Sequence, residues 1–395
     1  MAYIEWLEAR RFLDATVALA WAGTTDLSGQ PTVPGAAVRV PLRVDVRNVS
    51  ADSRLTAQLR FVARPVTPAG LPDVPLSRPL PVRGLPPESS RQAGVSNVRL
   101  PQEMRPGTYR LVVLAEPPGP GGGEPLATLE SDTTFDVTYR LSSATPSLAF
   151  RLGDVPVRAT FRGPGFATFE PQTLTSNFDL LIRQTDLQTR IAITIASPAA
   201  QIRNINANVP VGVLDLRRAT FTGSLALNGG NQVFLPPMTT PTSQSVALAG
   251  SYRNLTFGNL SKVNIIASAP IDHLRLGNAV EVNFLSTRSV GRITAGSVDA
   301  SNFRLVGQPG NASLGRFTSR AFSNTRIFAQ QLGGASLGAI TFASVGRDYG
   351  VSYDGGGKVT GRGLRPYQVA PGVEPLRRAD FVIGNRSTFN WGMGS

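Results

Sequence analysis

A chain of 395 residues is long enough for two domains with sizeable cores, and 40 Gly and 31 Pro among many Val, Thr, Ser and Leu read as all-β. The absence of cysteine removes disulfides, thiolate zinc sites and thiol nucleophiles together, and a single histidine, His273, excludes a multi-histidine metal site. The net charge of +13 is uneven: residues 1–145 hold 15 Arg against 14 acidic residues, whereas residues 146–395 hold 24 Lys plus Arg against 12.

The first 14 residues form a short helix-prone, amphipathic segment, Tyr3 to Leu13. Within it Leu7-Glu8-Ala9-Arg10-Arg11-Phe12-Leu13 resembles the LEPRxLL-type segment near the start of many planctomycete surface and secreted proteins, with Ala9 in place of proline and Phe12 in place of a leucine. The resemblance implies a surface or export role, hence an extracellular or cell-surface location. Arg10-Arg11 hints at a twin-arginine signal, but Asp14 interrupts the apolar stretch and no cleaved signal peptide is assigned. No run of 18 apolar residues occurs, so no transmembrane helix is expected.

Residues 15–141 alternate apolar and polar positions in short runs, such as Val38 to Val46, Leu55 to Val62 and Gly107 to Ala115. Period two indicates half-buried antiparallel strands, and their spacing by Pro, Gly and Asp loops predicts an immunoglobulin-like β-sandwich. Pro117 to Gly123 is expected to be a hairpin loop rather than a linker, with the domain boundary falling near Leu141 to Pro146. Pro34-Gly35, Val46-Arg47-Asn48-Val49, Leu85-Pro86-Pro87 and Pro106-Gly107-Thr108-Tyr109-Arg110-Leu111 follow one another in an order that resembles the CARDB-type adhesion modules of bacterial surface proteins. That resemblance implies a spacer or recognition module and brings no catalytic residue.

Residues 147–349 carry a degenerate repeat. Leu255-Thr256-Phe257-Gly258, Leu274-Arg275-Leu276-Gly277 and Ile293-Thr294-Ala295-Gly296 recur every 19 residues, followed by Phe317-Thr318-Ser319 and Ile340-Thr341-Phe342 at steps of 24 and 23. Each unit is too short for an ordinary helix and cannot bury its apolar face alone, so the period predicts a right-handed parallel β-helix of nine or ten coils, a rod of about 45 Å at roughly 4.8 Å per coil. Ala219 to Gly223 is an earlier echo of the Leu255 run. Asn264, Asn283, Asn302 and Asn324 are expected to stack as an amide ladder, and the Gly column to turn corners with positive φ. In residues 350–395, Gly350 to Gly363 reads as too glycine-rich for core, Ala379 to Gly384 as the closing strand, and Thr388 to Trp391 as a cap.

The search for chemistry is thin. Asp272-His273 could form an acid–base pair but reads better as a polar corner of one coil. The solenoid's 12 carboxylates are scattered, with no cluster recurring at coil spacing as a calcium-dependent lyase or a carboxylate-pair hydrolase requires. Gly355-Gly356-Gly357-Lys358 does not meet the Walker pattern. No catalytic residue, metal or cofactor is therefore expected. The basic solenoid is expected to attract an anionic polymer through Arg275, Arg292, Arg304, Arg316 and Arg326. Acidic cell-envelope polysaccharide, or further copies of the chain, fit better than nucleic acid, which lacks an aromatic stacking platform here. The resulting expectation is a non-enzymatic surface protein serving adhesion or structure, the alternative being a β-helix that binds or, less readily, cleaves an acidic glycan.

Overall fold

In the computed structural model, residues 17–385 are described except 28–31, 35–36, 39, 68, 120–123, 153, 172–176, 240, 307–312, 343–345 and 371. The expected helix of residues 1–14 and the expected cap at Thr388 to Trp391 lie outside the described residues. Every regular element among those described is a β-strand, and no helix is long and apolar enough to cross a membrane. The chain divides into two units, Met1–Arg140 with Leu148–Arg151, and Leu141–Ser147 with Leu152–Ser395.

In the first unit, strict alternation makes half-buried strands: Leu42–Asn48 buries Leu42, Val44, Val46 and Asn48 and exposes Arg43, Asp45 and Arg47. It lies between Val17–Trp21 and Ser90–Val95 in a three-stranded antiparallel sheet. A second antiparallel sheet runs Ala127–Val137, Gly107–Glu116, Leu55–Thr67 and Val74–Pro75, with Leu80–Leu85 also paired to Leu55–Thr67. The two sheets share one core that includes Val44, Val46, Leu59, Phe61, Leu111 and Val113. Ala115 pairs with Ala127 across the Pro117 to Gly123 connection, which is therefore a hairpin. Charge is neutralised locally: Arg64 pairs with Asp73 and Glu130, and Arg110 with Glu130. Hydrogen bonds from Arg110 and Arg64 hold the Glu130 carboxyl below the usual carboxylate range.

The second unit is a parallel β-solenoid of about eight turns. The run is shorter than the nine or ten coils expected because its first strands are antiparallel: Val155–Arg162 pairs with Arg190–Ile195, and Phe166–Pro171 with Asn177–Arg183. Parallel stacking begins where Asn177–Arg183 meets Gln201–Ala207. Three inward rows then fill the interior. Leu255, Leu274, Ile293 and Phe317 stack in register in the first, each with no exposed surface. Ile265, Phe284, Phe303 and Ile327 form the second, and Leu260, Ala279, Val298 and Phe322 the third. Phe303 bridges two rows, 6.2 Å from the Phe284 ring and edge-on to Phe317 at 5.4 Å. Each buried ring contributes about 1.5–3 kcal/mol.

Four expectations are corrected by the register. Phe317 is followed in its row by Ala335, while Ile340 follows Phe322 in the third row, because this coil shortens to 18 residues. Phe221 stacks on Ile202, and the predecessor of Leu255 is Val233, so the Ala219 echo belongs to another row. The strand Tyr349–Gly356 continues the stack, with Val351 and Tyr353 fully buried, so the glycine-rich stretch is core after all. Its glycines answer crowding: a Cβ on Gly356 would lie 1.9 Å from the Leu332 carbonyl oxygen.

The fourth correction concerns the corners. Gly258, Gly277 and Gly296 are not among the positive-φ residues. They leave room for a ladder that the repeat concealed: Asn259 Oδ1 accepts the Asn278 N–H at 2.9 Å, and Asn278 Oδ1 accepts the Ser297 N–H at 3.1 Å. A Cβ on Gly277 would sit 2.4 Å from Asn259 Oδ1, and one on Gly296 2.6 Å from Asn278 Oδ1. The left-handed corner is instead taken by Lys262, Glu281, Ala300 and Asn324, at φ of 57°, 53°, 47° and 43°. A residue with a Cβ is strained there, and Asn tolerates it best. Ala300→Gly is therefore expected to stabilise the protein by about 1 kcal/mol, read as a higher thermal midpoint.

Candidate anion-binding face

Outside the first inward row, alternate positions of successive coils form three exposed or half-exposed columns on one lateral face. The first runs Asn254, His273, Arg292 and Arg316, and Lys358 follows two coils further on, next to Val359 of the same inward row. The second is Thr256, Arg275, Thr294, Thr318, Ser336 and Thr360. In the third, Gly258, Gly277 and Gly296 give way to Arg320 and, at the end, Arg362. Period-two geometry puts Arg316, Thr318 and Arg320 side by side, while Phe317 and Ser319 turn inward.

The five arginines singled out from the sequence are thus divided. Arg275, Arg292 and Arg316 share this face, with Arg292 and Arg316 directly opposed on neighbouring coils. Arg304 and Arg326 lie on the strands of the second row. Arg304 sits between Leu285 and Phe328, its guanidinium 6.0 Å from the Phe328 ring. Arg326 occupies the coil position after Asn302 and donates from Nε to the Asp348 carbonyl at 2.9 Å. Burial, reinforced by Arg347, lowers its pKa from the ordinary arginine value. Neither belongs to the anion face.

Arg326 also takes the place expected for Asn324 in the amide ladder. Asn264, Asn283 and Asn302 do stack in register. Asn283 donates to Asn264 Oδ1 at 3.0 Å, and Asn264 to Ser243 Oγ at 3.1 Å. Asn324 instead occupies the left-handed corner two residues earlier.

Arg275, Arg292, Arg316, Arg320, Lys358 and Arg362 form no ion pair among the described residues. At a coil step of about 4.8 Å, stacked like charges repel one another, since opposed like charges destabilise a strand pair. Asp272 is the carboxylate at the border of this stretch. Towards the start of the solenoid, Asp215 is engaged by Arg217, whose hydrogen bond holds its carboxyl below the usual range. Asp272 and His273 form no hydrogen bond to each other among the described residues, and no group of three His, Cys, Asp or Glu there could hold a metal ion.

Two shallow grooves mark the face. One, of about 660 Å³, is lined by Arg190, Asn231, Gln232, Arg253 and Asn254 among others. The other, of about 450 Å³, is lined by Arg320, Ser336, Thr360 and Arg362. Sequence reasoning missed Arg190, Arg253, Arg320, Lys358 and Arg362. A signal was present in Val290-Gly291-Arg292-Ile293-Thr294, Leu314-Gly315-Arg316-Phe317-Thr318 and Gly357-Lys358-Val359-Thr360, which align only once steps of 24 and 18 residues are allowed. No family model, curated protein or solved structure matches the chain, so the planctomycete and CARDB resemblances stand on their quoted residues alone.

Proposed function

We propose that this is a non-enzymatic extracellular or cell-surface protein whose solenoid holds an anionic polymer, an acidic polysaccharide of the envelope, along its basic lateral face. The observation that carries the reading is the set of six unpaired cations on one face, with Arg292 and Arg316 stacked against their own repulsion. A polyanion relieves that repulsion and gains from counterion release. Hydroxyl-bearing Thr256, Thr294, Thr318, Ser336 and Thr360 between the cations suit hydrogen bonding to carboxylate or sulfate oxygens. Aromatic side chains are missing from the described columns beyond Asn254, which favours a glycan over a single-stranded nucleic acid.

The first unit serves as a spacer or adhesion module of immunoglobulin-like type. In support, Tyr109 at the start of its strand donates from its hydroxyl to the Arg105 carbonyl at 2.8 Å, the bond of a tyrosine corner. A right-handed crossover is the expected sense of the solenoid.

The test is a salt titration of binding to polygalacturonate and dextran sulfate. Wild-type affinity is expected to fall with salt, and Arg292→Ala with Arg316→Ala to reduce the logarithmic salt slope by about two, about one per cation. Salt-independent binding, or none, would overturn the reading.

A further inference from the structure

We propose that the groove at the Arg190 end of this face is a sugar-reading subsite, which takes hydroxyl-bearing rings of the anionic polysaccharide whose charges run along the cation columns. This rests on the polyanion reading above and adds to it the chemical class of the ligand's uncharged part.

The groove is lined by four carboxamides, Gln188, Asn231, Gln232 and Asn254, two guanidinium groups, Arg190 and Arg253, and no carboxylate. None of the four carboxamide side chains forms a hydrogen bond among the described residues. Each carboxamide presents two N–H donors and one carbonyl acceptor, so it matches a hydroxyl, which both donates and accepts. A phosphate or sulfate offers oxygen acceptors only and would set them against the carboxamide oxygens. Such a lining therefore distinguishes a sugar from a bare inorganic polyanion. Leu187, 52% exposed at the rim, offers an apolar contact for the C–H face of a ring.

The floor of the groove is held close. Gly212 donates its N–H to the Asp186 carbonyl at 3.0 Å, and a Cβ there would lie 2.1 Å from the Leu187 carbonyl oxygen. The groove also opens onto the cation column: Gln232 stacks on Asn254, Asn254 on His273, and His273 on Arg292. A linear chain laid along the axis would thus place rings over the carboxamides and charges over Arg292 and Arg316, with one repeating unit per coil step of about 4.8 Å.

The experiment compares polygalacturonate with inorganic polyphosphate, binding each to the full chain by calorimetry. Gln232→Ala with Asn254→Ala is expected to weaken polygalacturonate about tenfold, the loss of one or two hydrogen bonds, with polyphosphate affinity and the salt slope unchanged. Arg292→Ala with Arg316→Ala is expected to weaken both polymers. Gln188→Ala, an exposed change, is the second groove variant, and an unchanged thermal midpoint checks folding in each. If the groove variants alter neither polymer, or weaken both equally, the subsite is overturned while the polyanion reading stands. If neither polymer binds the wild type, both fall.

Discussion

Ile293→Asp is expected to abolish the native unfolding transition of the solenoid. Ile293 has no exposed surface and is stacked between Leu274 and Phe317. The substitution removes most of a buried aliphatic side chain, costing about 2–5 kcal/mol, and adds a carboxylate with no partner, costing several more or forcing it to stay protonated. Against a total stability on the order of 5–15 kcal/mol, that is most of the fold. Coils stabilise one another through nearest-neighbour interfaces, so failure at Ile293 uncouples those on either side. Burial raises the carboxyl pKa in the folded variant above its unfolded value, so the penalty is smallest at low pH and grows as pH rises. Circular dichroism melts at pH 4 and pH 8 check both statements, and a wild-type midpoint at pH 8 would refute the inward register.

Gly315→Ala is the second large effect, and it has no counterpart in hydrophobic burial. Gly291, Gly315, Gly333 and Gly357 mark successive coils beside the first cation column, where neighbouring backbones approach too closely for a side chain. A Cβ on Gly315 would lie 2.3 Å from the Gly291 carbonyl oxygen, and one on Gly333 2.0 Å from that of Gly315. Backbone must shift, at about 1–3 kcal/mol. The shift also moves Arg316, the next residue, so weaker polyanion binding is expected along with a lower melting temperature. Gly355→Ala is the control, since nothing lies within 4 Å of its added carbon. Equal melting temperatures for the two variants would show that the column is not packing-limited.

The period of 19 was legible because Leu255, Leu274 and Ile293 stand on three coils of equal length. It failed at Ile340 because coil length changes to 24 and then 18, and a loop absorbs the difference without moving the inward row. The closing strand was legible in Phe381–Gly384, whose four residues are all buried. The site was half legible. Arg275, Arg292 and Arg316 lie on one face, but Arg304 and Arg326 were chosen by type, and only strand pairing shows that they sit on another row. Corner glycines read as conformational devices proved to be spacing devices, because a contact between coils 19 residues apart leaves no mark in local sequence.

The last described coil bears on assembly. Phe381–Gly384 pairs in parallel with Tyr349–Ser352 but antiparallel with Leu376–Arg378, so the stack ends in a strand of three residues running the wrong way for another coil. Two of the three are arginines already engaged, Arg377 with Asp348 and Arg378 with the Gly363 carbonyl. Short, charged edges of this kind resist strand addition. A second molecule could not prolong the coil stack here without first breaking those bonds. Should copies of this chain form a lattice, growth by side-to-side contact, bridged by shared polyanion, is open to them at this point where growth along the solenoid axis is not.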